Sequence, residues 1–172
     1  MYPSVVMLLT ALLIKLDSKG PIFFRQERLS QKGKPFQIIK FRTMVDGAEN
    51  NGPVWTDYND PRITRAGKII RKLRIDEFPQ LLNIIQGEMS FIGPRPLAHT
   101  DYMEKIEFYN YRTLVKPGIT GWAQVMFPDG LTIETTPEKL KYDLYYIKNL
   151  SFLLDLAILL KTVRIVIFGK GR

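Results

Sequence analysis

The sequence predicts a mostly helical α+β domain carrying one small antiparallel β-hairpin, and three observations support that expectation. Apolar residues recur at helical spacing over most of the chain. Strand-like alternation is confined to residues 22–42. Proline, glycine and capping residues mark where the elements stop. With 172 residues and 45% apolar content, the chain is long enough to bury one core. It has no cysteine, which excludes disulfides, thiolate nucleophiles and cysteine-ligated metals. Its single histidine is His99, so carboxylates working with an oxygen-preferring cation such as magnesium suit this chain better than an imidazole triad. The net charge of +8 points to partners that bear phosphate: nucleic acid, an anionic membrane surface or a nucleotide.

In chain order, the first element follows Pro3 as an apolar run from Val5 to Leu16, broken by Thr10 and Lys15. It falls short of the roughly 20 residues a spanning helix needs. Two placements fit it equally, a buried helix or one that dips into a single leaflet and leaves through Lys15 to Gly20. Next, 22–28 and 36–42 flank Gln31-Lys32-Gly33-Lys34 as the arms of a hairpin, and strand alternation puts Lys40 and Arg42 on one face. That face serves either solvent or an anion. Residues 46–61 are rich in Gly, Asn, Asp and Pro and read as loop. Thr64 is placed to cap a helix running to Arg74 with Ile69, Ile70 and Leu73 inward. Asp76 then falls at an N-cap position, with Pro79 in the first turn and a helix running on to Gly87 whose inward stripe is Phe78, Leu81, Leu82 and Ile85. A helix is expected over 102–114 and a tight turn at 116–122. Thr136 and Ser151 are cap candidates for two last helices, the second apolar nearly all round from Phe152 to Phe168.

The candidate site lies at the second helix junction, where Arg71, Lys72 and Arg74 precede the paired carboxylates Asp76 and Glu77. A helix start offers unpartnered amides and a positive dipole end to an anion. On this segment alone, the more common reading is that Asp76 caps and Glu77 complements the helix dipole. Arg95 sits between Pro94 and Pro96, whose rigidity reduces the entropy lost when its planar fork grips a phosphate. Asp143 and Asp155 are carboxylates in apolar or aromatic surroundings that need partners, either these arginines or surface lysines.

Taken together, several segments resemble the bacterial sugar transferases, the polyprenyl-phosphate sugar-1-phosphate transferases of the monotopic phosphoglycosyl transferase superfamily. They are Gly20-Pro21 with Phe24-Arg25-Gln26, Lys40-Phe41-Arg42-Thr43-Met44, Asp60-Pro61-Arg62, Asp76-Glu77-Phe78-Pro79-Gln80-Leu81, Met89 to Pro96, Lys116 to Gly121, and Tyr142-Asp143 followed by Ser151 and Asp155. The resemblance implies transfer of a sugar-1-phosphate from a UDP-sugar to polyprenyl phosphate, with release of UMP. It implies Asp76 as nucleophile, Glu77 as ligand of Mg²⁺, Arg71, Arg95, Lys40 and Arg42 as phosphate contacts, and Asp143 and Asp155 as a supporting network. It also implies a place on the cytoplasmic face of the bacterial inner membrane, with residues 1–19 as part of a re-entrant helix, of which only the returning half is expected here, and 20–172 as the catalytic domain. Nucleic acid is not an expected partner, because the cations are dispersed among acids and no nucleic-acid motif appears. The alternative is a catalytically incomplete scaffold of the same fold on the membrane surface.

Overall fold

The computed structural model describes residues 2–49, 60–96, 106–127 and 135–168. Its elements are α1 (Tyr2–Asp17), β1 (Phe23–Leu29), β2 (Pro35–Phe41), α2 (Arg65–Lys72), α3 (Gln80–Ile85), β3 (Ser90–Ile92), β4 (Gly118–Thr120), α4 (Trp122–Met126), α5 (Thr136–Lys148) and α6 (Phe152–Phe168). This is a mostly helical α+β chain with a small antiparallel hairpin, β1 with β2, and a small parallel pair, β3 with β4. Among the described residues no helix is long and apolar enough to cross a membrane. Much of the loop expected over 46–61 and of the helix expected over 102–114 lies outside the described residues. What is described of the latter is a 3₁₀ helix, Tyr109–Leu114.

The chain divides into two compact units, Met1–Arg25 with Ile39–Leu81, and Gln26–Ile38 with Leu82–Arg172. In the first unit Ile14, Phe41 and Ile70 form the core, joined by Met7, Ala11, Ile22, Ala66, Ile75 and Phe78. The exit of α1 is pinned by polar contacts as well. Asp17 Oδ2 accepts from the Ala66 amide at 2.9 Å, and Lys15 Nζ donates to the Gly20 carbonyl at 2.9 Å. In the second unit Phe36, Ile38 and Met89 make one cluster, and Val125, Tyr146 and Ile158 make another against Ile92, Trp122, Leu154 and Ile165.

The capped start of α2 is as the sequence predicts, with Thr64 Oγ1 accepting from the Gly67 amide at 3.0 Å. Its inward face is not. Ile70 is 2% exposed, but Ile69 is 60% and Leu73 56% exposed, because α2 turns Gly67 and Ile70 inward, with Ala66 alongside. The reversal is stronger in α3, where Leu81, Leu82 and Ile85 face outward and Gln80 and Asn83 are buried. Only Phe78 of the expected stripe joins a core. Asn83 is stable inside because its amide donates to the Gln37 carbonyl at 2.8 Å and to Glu88 Oε2 at 2.7 Å. The segment read as a tight turn at 116–122 contains β4, paired in parallel with β3 through Ser90 and Gly118 and through Ile92 and Thr120. Only a glycine fits at 118, since a Cβ there would lie 2.2 Å from the Gly93 nitrogen. At α5 the helix already includes Thr136, whose side chain is buried, whereas Ser151 Oγ accepts from the Leu154 amide at 3.3 Å as a cap should.

Candidate active site

The acidic pair lies on a sharp junction in the first unit. After α2, Leu73 remains helical and Arg74 turns left-handed, with φ 57° and ψ 18°. For an arginine that conformation costs about 1–2 kcal/mol, so the surrounding packing must impose it. Ile75 to Glu77 then form a 3₁₀ turn, and α3 begins only at Gln80. Asp76 therefore lies within a tight turn and not at the N-cap of a long helix. The bonds span three residues, from the Phe78 amide to the Ile75 carbonyl at 3.1 Å and from the Leu81 amide to the Phe78 carbonyl at 3.1 Å. Pro79 has no N–H with which to close a four-residue bond onto Ile75. Ile75 and Phe78 are held in the core, which fixes the two carboxylates between them. Asp76 is half-buried with Oδ1 shielded from solvent, and Glu77 is buried.

Among the described residues of the first unit, Lys40 and Arg71 are cations that act on this pair. Lys40, at the end of β2, brings Nζ to 3.9 Å from Glu77 Oε1. Arg71, on the last turn of α2, donates from Nε to Thr43 Oγ1 at 2.7 Å. Burial lowers the Arg71 pKa, and the Asp76 charge is the main influence opposing it. A guanidinium in that state remains cationic but is poorly hydrated, so an arriving anion gains much by contacting it. Arg42 has another task. It is buried, and its guanidinium donates to the carbonyls of Pro21 at 2.5 Å, Lys19 at 2.7 Å and Ser18 at 3.0 Å. These contacts tie the residue after β2 to the exit of α1. Nearby in sequence, Asp60 and Arg62 form a bidentate pair with Nη2 to Oδ2 at 2.6 Å. The Arg62 hydrogen bonds lower the Asp60 pKa to about 2.

In the second unit, Arg95 is half-buried between the buried Pro94 and Pro96. Its carbonyl accepts from Arg112 Nη2 at 2.7 Å. Arg112 also donates from Nε to Asp143 Oδ2 at 2.8 Å and from Nη1 to the Tyr109 hydroxyl at 3.1 Å, with its guanidinium 5.2 Å from the centre of the Tyr109 ring. Burial works to lower the Arg112 pKa, but the Asp143 charge and the Tyr109 contacts outweigh it and raise the value. Asp143 thus reaches the backbone of Arg95 through Arg112, a residue that sequence reasoning missed. The available signal was the isolated carboxylate itself, which demanded a cation without saying which. Asp155 instead accepts from the Tyr146 hydroxyl at 2.9 Å and takes no part in that chain of contacts. Burial, followed by the Asp155 hydrogen bond, raises the Tyr146 pKa and keeps the phenol protonated.

Among the described residues no group of three or more acidic or histidine side chains gathers to hold a metal. Magnesium does not require one. It commonly takes one or two carboxylates and completes its shell with water and substrate phosphates, a donor set that Glu77 beside Asp76 fits.

Residues 1–169 match the bacterial sugar transferase family. The chain is 47% identical over 171 residues to a UDP-N-acetylgalactosamine-undecaprenyl-phosphate N-acetylgalactosaminephosphotransferase of Aeromonas hydrophila, covering 98% of this chain and 40% of that protein. It is 44% identical over 169 residues to the uncharacterized sugar transferase EpsL of Bacillus subtilis, covering 98% of this chain and 81% of that one. It is also 41% identical over 165 residues to a UDP-glucose:undecaprenyl-phosphate glucose-1-phosphate transferase of Escherichia coli, covering 93% and 36% respectively. The chain thus spans well under half the length of the Aeromonas and Escherichia relatives and most of the Bacillus one. With the acidic pair, its two cations and the buried arginine network in place along a matching sequence, the chain belongs to the bacterial sugar transferase family.

Proposed function

We propose that this chain transfers a sugar-1-phosphate from a UDP-sugar to undecaprenyl phosphate and releases UMP, the first step in assembling a polysaccharide. An Asp76 carboxylate oxygen attacks the sugar-bearing phosphorus, the bond from that phosphorus to the UMP oxygen breaks, and UMP leaves with the bonding pair. The phosphosugar-aspartyl intermediate is then attacked at phosphorus by an oxygen of the lipid phosphate, which restores the Asp76 carboxylate. No proton has to move in either displacement. The obstacle is charge, because an ionised nucleophile must approach an anion. Arg71 and Lys40 lower that repulsion and stabilise the charge that builds on the leaving group. Mg²⁺, held by Glu77 together with the diphosphate, supplies charge neutralisation when bound.

The membrane leaflet enters through the apolar surface. α1 exposes Leu8, Leu9, Leu12 and Leu16, and α6 exposes Phe152 and Leu160. Such surface favours a bilayer interface over water, in keeping with residues 1–19 as part of a re-entrant helix on the cytoplasmic face of the inner membrane.

The observation that carries this reading is the acidic pair on its tight turn beside Arg71 and Lys40. It is tested by magnesium-dependent UMP release from separate UDP-hexoses and UDP-N-acetylhexosamines, with undecaprenyl phosphate in liposomes. One donor should support release, and Asp76→Asn should abolish it. Silence with every donor, alongside retained binding to liposomes, would sink the enzymatic reading and leave the scaffold.

A further inference from the structure

We infer that Thr43 is a positioning residue for Arg71: its hydroxyl sets the plane of the guanidinium that meets the substrate phosphate, an inference that rests on the proposed function. The argument begins with spacing. Thr64, Gly67 and Arg71 lie three and four residues apart, so all three occupy one face of α2. Each of them meets Thr43. The Thr64 amide donates to the Thr43 carbonyl at 3.1 Å. At Gly67 the helix passes so close that a Cβ would lie 2.0 Å from the Thr43 carbonyl oxygen. Arg71 Nε donates to Thr43 Oγ1 at 2.7 Å.

The first two contacts hold the Thr43 backbone against α2, and the third transmits that rigidity to the arginine. Thr43 is itself buried, which shields the bond from competing water. The choice of nitrogen matters. A bond at Nε fixes the guanidinium plane, and the two terminal nitrogens, the pair that grips two phosphate oxygens end-on, remain for a ligand. An untethered arginine loses side-chain entropy on binding a phosphate, unless that freedom has already been removed. Asp76 lies close enough for its charge to act on Arg71, so the tether orients the cation beside the proposed nucleophile.

The test uses the full chain in liposomes with the substitutions Thr43→Val, which keeps the shape and removes the acceptor, and Thr43→Ser, which keeps the oxygen. Thr43→Val should lower kcat/KM for the UDP-sugar about tenfold, and Thr43→Ser should recover most of it. In an Arg71→Ala background Thr43→Val should have no further effect, which a purely structural role would not produce. Calorimetric binding of UDP provides a readout independent of turnover, and Thr43→Val should weaken it by a similar factor. An equal loss with or without Arg71 would overturn the inference. So would an unchanged Thr43→Val enzyme when Arg71→Ala is impaired, and in that case the role of Arg71 would stand. Wild-type behaviour of Arg71→Ala in both assays would remove the phosphate role of Arg71 and the inference with it.

Discussion

Replacing Arg112 with methionine should destabilise the second unit far more than loss of an ordinary surface charge. The Arg112 and Asp143 side chains are only 9% and 6% exposed and meet at 2.8 Å. Removing the cation leaves a buried carboxylate uncompensated, which typically costs about 3–5 kcal/mol. The Tyr109 hydroxyl and the Arg95 carbonyl lose a donor at the same time. With a urea dependence of about 2 kcal/mol per molar, the midpoint should fall by roughly 1.5–2.5 M. Urea unfolding in mild detergent, followed by near-ultraviolet circular dichroism, reads this directly. The double substitution Arg112→Met with Asp143→Leu should recover much of the loss, because a buried ion pair and an apolar pair of similar volume are often of comparable stability. Recovery stops short of complete, since the Arg95 carbonyl still lacks its donor. A fall of less than about 0.5 M for Arg112→Met would refute the reasoning, since the pair would then be behaving like one in water.

Two further outcomes follow from the first unit. Gly67→Ala should destabilise the protein despite the better helix propensity of alanine, because the added Cβ would lie 2.0 Å from the Thr43 carbonyl oxygen. Overpacking of that kind costs about 1–3 kcal/mol, which a thermal melt would show as a midpoint lowered by roughly 2–12 °C. Asp60, whose pKa falls from 3.8 to about 2 beside Arg62, should add stability in full above its unfolded value and lose it as pH drops through about 2. The stability gap between the wild type and Asp60→Asn should therefore be constant near neutrality and close between about pH 4 and pH 2, as acid-unfolding curves of the two proteins would reveal.

What was legible in the sequence was local. Strand alternation and the turn-forming Gln31-Lys32-Gly33-Lys34 marked the hairpin, and Thr64 and Ser151 marked helix starts, because each signal acts within a few residues. Adjacent Asp76 and Glu77 stood out for the same reason. The burial of α3 was not legible: Asn83 is 0% exposed and Ile85 is 81% exposed, the opposite of what apolar spacing suggests. One partner that makes Asn83 stable inside is the Gln37 carbonyl, 46 positions away, and periodicity carries no record of it. The same limit hid the pairing of β3 with β4 and the grip of Arg112 on Asp143, 31 positions apart. Arg42 shows the limit at the site itself. Alternation placed it on a face with Lys40, but carbonyls at Ser18, Lys19 and Pro21 supply its surroundings.

The nearly all-round apolar character of α6 carries a consequence for how that helix finds its place. Hydrophobic burial is non-directional, so a helix apolar on most sides gains nearly as much by presenting one apolar face to the core as another. Its rotation must be chosen by groups that are satisfied in only one setting. Asp155 meets the Tyr146 hydroxyl, and Thr162 meets Thr120 at 2.7 Å, seven residues and two turns apart on the side where Ile158 is buried. These two contacts act as an azimuthal key for α6. They add little to the total burial, yet they distinguish one angular setting from its neighbours.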